Sequence, residues 1–321
     1  MKCIPIVLLM AAGLAQGQEA LSLKGRMELG NVEGRIDHLS ADVSGGRLFI
    51  SALGNHSVEV LDARGLKRIR TITDLAEPQG VYYDASTNRL FVASAGDGTV
   101  KTFDGSVFRL LQTAKFSSDA DNLRYDARDR RVLVGYGEGA LAFLDPDGKK
   151  ESEIGMDAHP ESFQLEKKGN RAFVNVPDRR EIEVLDLVKK TVLAHWPVTA
   201  AASNFPMALD ENHGRLFVGC RAPARLLVID TASGKVTDST AIVGDTDDLF
   251  FDTARNRVYV IGGEGLVDVL EERSGRYIRV ARLATAAGAR TGLFVPEWGE
   301  LFVAAPHRGS HRAEVLVYQT K

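Results

Sequence analysis

The chain has 321 residues, 44% of them hydrophobic and 26% charged, with a formal net charge of -3. That composition supports a buried core and excludes a disordered or low-complexity chain. The slight acidity argues against a nucleic-acid partner, which needs a basic face.

In chain order, the first element reads as an export signal. Lys2 supplies the positive start, and Ile4 to Leu14 form an apolar stretch of the length a signal core requires. Ala15 and Gly17 place small residues where a signal peptidase cuts, so cleavage is expected after Gly17, with Ala20 as the alternative. Residues 1–17 are thus read as the signal and 18–321 as a single domain. The apolar run is too short to span a bilayer. Gln18, not Cys, follows the cut, which argues against a lipid anchor. A soluble, monomeric periplasmic or secreted protein is expected. Cys3 leaves with the signal, and Cys220 is expected to be a buried thiol without a partner.

The next segment, Leu23 to Leu29 (LKGRMEL), stands alone before a repeat begins. The repeat is RLFIS from Arg47, RLFVA from Arg89, RVLVG from Arg131, RAFVN from Arg171, RLFVG from Arg215, RVYVI from Arg257 and ELFVA from Glu300. The steps are 42, 42, 40, 44, 42 and 43 residues, the period of a four-stranded propeller blade. In six copies a short strand ends in an acid (Asp42, Asp84, Asp126, Glu166, Asp210, Asp252). A four-residue turn, the RLFV strand, a loop and a third strand ending in another acid follow (Asp62, Asp104, Asp145, Asp186, Asp230). The last copy stops in its third strand. Leu23–Leu29 resembles LKRIRTI, a fourth strand, and is expected to complete the last blade and close the ring. The expected fold is all-β: a seven-bladed β-propeller with four-stranded blades.

RLFVASAGDGTVKTFD, from Arg89 to Asp104, resembles the YVTN-type β-propeller repeat of exported bacterial proteins. RLFVGCRAPARLLVID from Arg215 and RVYVIGGEGLVDVLE from Arg257 resemble it too, and Asn175 is the clearest copy of the motif Asn. The resemblance, WD40-like in architecture, implies the same fold. It also implies one of two roles, since members include surface and periplasmic binding proteins and some relatives are lactonases.

Repetition separates structural from functional polar residues. A polar residue in every blade serves the blade. Arg47, Arg89, Arg131, Arg171, Arg215 and Arg257 recur five residues after the acid and are expected to make turn and inter-blade pairs. The lead-ins to the innermost strands instead differ from blade to blade. They end at His38, Gly80, Asn122, Ser162, Pro206, Asp248 and Gly292, preceded by Asp37, Gln79, Asp121, Glu161, Phe205, Asp247 and Thr291. In a propeller these positions circle one mouth of the central channel. The loops after the second strands reach the same face and carry His56, Arg221, His307, Arg308 and His311. The last such loop is longer, with 19 residues from Glu300 to Gln319 against 15 from Arg47 to Asp62. An insertion on one face marks a binding face.

The expected ligand-binding set is Asp37, His38, Gln79, Asp121, Asn122, Glu161, Asp247, Asp248, Arg290, His307 and Arg308. Four carboxylates round one mouth repel one another if bare, so a cation or cationic ligand is expected there, with Arg290 orienting an anionic group. A divalent cation is the candidate cofactor, with Asp37, His38, His159, Glu161, Asp245 and Asp247 as candidate ligands. The chain carries no HExxH, CxxC, GxSxG or phosphate loop, and the missing CxxCH excludes attached haem. The reading is a non-catalytic binding propeller for a small molecule or an envelope protein. The rivals are a hydrolase, lactonase-like or metal-assisted, that activates water with a His/carboxylate pair, and an envelope scaffold.

Overall fold

The computed structural model describes residues 20–321, so the expected signal at 1–17 lies outside the described residues. The chain forms seven four-stranded antiparallel sheets, each ordered in sequence from the axis outward except where the ring closes. The inner strands are Leu39–Asp42, Pro78–Asp84, Ala120–Asp126, Phe163–Leu165, Ala202–Asp210, Thr246–Asp252 and Thr291–Val295. Consecutive inner strands touch round the ring, and the seventh touches the first.

The RLFV strands lie second in each blade and are buried on both faces, which is why they read as continuous apolar runs. In Arg47–Ala52, Leu48 and Ile50 pack against Val295 and Phe302 of the last blade. Phe49 points the other way, against Leu90 and Val92 of the second blade. Alternate side chains of one strand therefore fill two different inter-blade layers. The fourth strands are outermost. Lys67–Ile72, for example, is mostly exposed, and a solvated strand tolerates the sequence variation seen there.

Ring closure follows expectation. Leu21–Glu28 pairs antiparallel with Glu314–Thr320, from Leu21 opposite Thr320 to Glu28 opposite Glu314, with a bulge at Lys24. Leu29 lies just past the strand, fully buried, and its N–H donates to the Ala313 carbonyl at 2.9 Å.

The recurring polar residues serve the blades. Asp42 accepts from the Gly45 N–H at 2.9 Å, and Asp62 accepts from the N–H groups of Arg64 and Gly65, so each acid closes the turn that follows it. Five of the six recurring arginines reach the next blade: Arg47 to the Gly105 carbonyl, Arg89 to Asp147, Arg171 to the Thr231 carbonyl, Arg215 to Glu272 and Arg257 to the Lys321 carbonyl. Arg131 is the exception and pairs with Asp129 and Glu151 of its own blade. Arg47 also bonds Asp42 and stacks over Tyr83 at 5.2 Å. Arg47→Ala should therefore cost about 1.5–3 kcal/mol, the range for hydrogen bonds to charged groups. Arg131→Ala, at an exposed pair, should stay within about 0.5 kcal/mol of wild type. Urea unfolding of both variants checks this, and equal losses would contradict it.

Candidate functional site

The lead-ins meet at one mouth because the backbone ladder extends into them. The Asp37 N–H donates to the Ser51 carbonyl at 2.7 Å, and the Ser51 N–H donates to the His38 carbonyl at 3.0 Å. Blade four repeats this with Glu161, Ser162 and Asn175. Neighbouring lead-ins crowd each other. A Cβ on Gly80 would lie 2.1 Å from the Asp121 carbonyl oxygen, so Gly80 is a steric requirement and not a ligand-facing choice.

The mouth encloses a cavity of about 250 Å³. Its walls carry the carboxylates of Asp119, Asp121, Glu161 and Asp247, the guanidinium groups of Arg35, Arg221 and Arg290, and Gln79, His159 and Phe205. The ring is therefore not bare, and the expectation of unopposed carboxylates is corrected. Asp247 sits among three arginines: it pairs with Arg221, and it lies 3.6 Å from Arg35 and 3.9 Å from Arg290. Arg290 also pairs with Asp245 at 3.1 Å, and Arg221 lies over the Phe205 ring at 3.9 Å. Gln79 donates to Asp119 at 3.2 Å.

His38 forms the floor between two acids. Its Nε2 is 3.6 Å from Asp37 and its Nδ1 is 3.4 Å from Asp248. Arg35 reaches Asp37 at 2.7 Å, and Asp248 accepts the Gly292 N–H at 2.9 Å. Burial works against a charge on His38, but Asp248 and Asp37 outweigh it and raise the imidazole pKa to about 10. His38 is an imidazolium at neutral pH.

Asp121 and Glu161 are held differently. Burial and then the Glu161 charge push Asp121 up to about 8, while burial and then Asp247 push Glu161 up to about 7. Burial also raises Asp37. Both oxygens of Asp37, Oδ1 of Asp121, Oδ1 of Asn122 and Oδ2 of Asp247 are buried without an aligned hydrogen-bond donor. Such oxygens are costly unless something donates to them. Between about pH 4 and pH 8 the folded state holds a proton on Asp121 that the unfolded chain releases, so this group's effect on stability falls as pH rises. Asp121→Asn should match wild type near pH 3, gain on it steadily from about pH 4 to pH 8, and melt higher than it by a constant margin at pH 9. Melting curves across that range check this, and a gap that stays the same from end to end of it would contradict it.

The remaining expected residues fall into two places. His307 pairs with Glu33 at 2.7 Å, and His307 and Arg308 line an adjoining depression of about 260 Å³ that shares Arg35 and Arg290 with the mouth. The longer last loop therefore extends the mouth toward a basic side. His56 and His311 do not reach the mouth; His56 lines a separate hollow with Asp74 and Glu77, and His311 lies 3.6 Å from Glu314. The six proposed metal ligands of the mouth are not assembled as a metal site: among the described residues, the one group with ligand atoms close enough for shared coordination lies elsewhere, on blade four. His38 is spoken for by Asp37 and Asp248, and His159 Nδ1 is 2.6 Å from the Gly137 carbonyl.

Beneath the floor, the channel widens into a chamber of about 440 Å³, bordered by His38 and Asp248 and lined mainly by apolar and aromatic groups such as Tyr82, Tyr125 and Phe250. Besides His38 at its border, Arg124 brings a cation to its wall. It bonds the Leu123 carbonyl and Ser162 and pairs with no carboxylate among the described residues. Arg35, Arg221 and Arg124 were not in the expected binding set. The blade comparison could have found two of them. Arg35 stands where other blades have Glu77, Asp119, His159, Ser203 and Asp245, and Arg124 where they have Ser40, Tyr82, Gln164, Ala208 and Phe250. Cys220 is buried, as expected, and burial pushes its thiol up to about 12.

No protein-family model matches the sequence, and no curated protein matches it in a sequence comparison. Solved structures do match in shape. A chain of Kuenenia stuttgartiensis hydrazine synthase superposes with a TM-score of 0.79 at 16% identity, covering 92% of this chain and 99% of that one. A chain of a mitotic checkpoint complex superposes with a TM-score of 0.79 at 11% identity, covering 99% and 97%. At such identities the likeness speaks for the fold alone. The chain is a seven-bladed, WD40-like β-propeller.

Proposed function

We propose that this chain is an exported, non-catalytic binding propeller of the YVTN type that takes a small zwitterionic molecule in its channel mouth. The carrying observation is the pair of buried, undonated oxygens on Asp121 and Asp247 in a cavity wall that also holds the guanidinium groups of Arg35 and Arg290. An ammonium group supplies donors to Asp121 and Glu161, whose pKa values burial and the neighbouring carboxylates raise. An anionic group then faces Arg290 and Arg308, where the mouth opens onto the basic depression. A cavity of about 250 Å³ suits a small molecule better than a protein loop.

Binding is favoured over hydrolysis because the most enclosed imidazole, His38, is held as a cation and cannot take a proton from water. Export rests on the signal-like residues 1–17 and the periplasmic relatives that the repeat resembles. The Ala20 carbonyl accepts the Lys321 N–H at 3.2 Å, so the folded ring includes Ala20, which favours the cut after Gly17. A thermal-shift panel tests the reading with amino acids and phosphoethanolamine as zwitterions, putrescine as a cation, inorganic phosphate as an anion and glucose as a neutral probe. Zwitterions should raise the melting temperature most. Stabilisation by phosphate or glucose alone would overturn it.

A further inference from the structure

Blade four carries a second polar cluster, none of whose members lines the mouth cavity: Asp157, Glu181, Glu183 and His195. One ligand atom from each lies within 4.8 Å of all the others. Asp157 begins the lead-in to the blade, just after the strand Lys150–Gly155, Glu181 and Glu183 lie on its third strand, and His195 lies on its fourth strand directly opposite Glu183. Glu183 is fully buried. Its Oε1 accepts the Asp157 N–H at 2.9 Å, and its Oε2 has no hydrogen-bond partner.

Comparison with blade six shows what is unusual. Asp268 occupies the position of Glu183, is equally buried, and accepts the Val243 N–H as Glu183 accepts that of Asp157. There the residue across the strands is Arg282, which bonds both Asp268 oxygens at 2.6 and 2.8 Å. In blade one the corresponding acid, Glu59, is served by Arg68 and Thr71. Blade four therefore keeps the buried acid and lacks the arginine. Where blade six has Val243, Leu266 and Arg282, blade four has Asp157, Glu181 and His195. All three differences introduce metal-ligating groups. Three carboxylates are left facing one imidazole, with His195 Nδ1 3.3 Å from Glu181 and 3.9 Å from Asp157.

We propose that Asp157, Glu181, Glu183 and His195 bind a divalent transition-metal ion, Zn²⁺ by preference. A tetrahedral ion with bonds of about 2.0–2.2 Å keeps its ligand atoms roughly 3.3–3.5 Å apart, close to the His195–Glu181 separation. Asp157 and His195 are 59% and 43% exposed in their side chains and free to close the rest of the distance. The imidazole disfavours Mg²⁺ and Ca²⁺, which prefer all-oxygen shells. The metal takes the place that Arg282 fills in blade six, giving Glu183 Oε2 its partner.

Isothermal titration of the full chain with ZnCl2 tests this, with His195→Arg as the central variant because blade six already accommodates arginine there. Wild type should show a site that binds Zn²⁺ and is not competed by excess Mg²⁺. His195→Arg and Glu181→Gln should weaken that site at least tenfold. Metal-free His195→Arg should melt at or above wild type, which separates lost ligation from lost folding. Asp121→Asn should leave the site unchanged. Zn²⁺ binding that is equal in wild type and His195→Arg, or lost in Asp121→Asn instead, would overturn the assignment.

Discussion

His38→Gln should be the most damaging single substitution in the mouth. It removes the cation between Asp37, which is fully buried, and Asp248, and leaves both acids without their shared partner. Breaking a buried pair by deleting one member costs about 3–5 kcal/mol, because the other charge stays buried and uncompensated. The pH dependence gives the effect a signature. A histidine raised to about 10 contributes stability that is fully present below its unfolded value of 6.5 and is lost as pH rises through about 10. The gap between wild type and variant should therefore be full near pH 6, shrink between about pH 6.5 and pH 10, and be smallest above pH 10. His38→Gln/Asp248→Asn should recover part of the loss, since the second change removes one of the stranded charges. Denaturant unfolding across that range measures both. A variant as stable as wild type near pH 6, or a gap independent of pH, would contradict the role given to His38.

Removing the closing strand should be more severe still. A chain starting at Asn31 loses Leu21, Met27 and Leu29, each no more than 1% exposed. Burying such side chains is worth roughly 1.5–3 kcal/mol apiece, so the loss rivals the whole stability of about 5–15 kcal/mol typical of a folded protein. It also bares Glu314–Thr320 as an apolar sheet edge, which invites pairing between chains. The shortened chain should aggregate, and a peptide spanning residues 20–30 added during refolding should restore a soluble monomer. A soluble, cooperatively melting shortened chain would contradict closure by this strand.

The fold was legible because it is written seven times. Spacing, the RLFV strand buried on both faces and the turn acids each recur, and the missing fourth strand of the last blade identified Leu23–Leu29 as its partner. The same repetition singled out the lead-ins, because Asp37, Asp121, Glu161 and Asp247 stand where blades disagree, and the last three share one cavity wall. What it could not convey was charge pairing. Arg35 and Arg221 are long side chains that fold back over Asp247, one from the lead-in of blade one and the other from the end of the strand Arg215–Ala222 of blade five. Their reach is a property of side-chain geometry and not of spacing. The ring therefore read as acidic when it is mixed. The blade-four cluster escaped for a related reason. His195 lies on an outer strand, where variation is ordinary, and its opposition to Glu183 emerges only from the strand register.

The most direct test of the mouth is a count of protons. Asp121 and Glu161 share protons near neutral pH because burial and the neighbouring carboxylates outweigh the cations around them, so an ammonium group arriving between them should expel one. Isothermal titration at pH 7.5, in buffers of different ionisation enthalpy, reads this directly for the zwitterion with the largest thermal shift. Release of about one proton per ligand is expected in wild type, since pKa values of about 8 and about 7 leave the two groups roughly three-quarters and one-quarter protonated there. In Asp121→Asn the release should fall and the affinity drop at least tenfold. Binding without proton release, and with equal affinity in both proteins, would place the ligand somewhere other than this mouth.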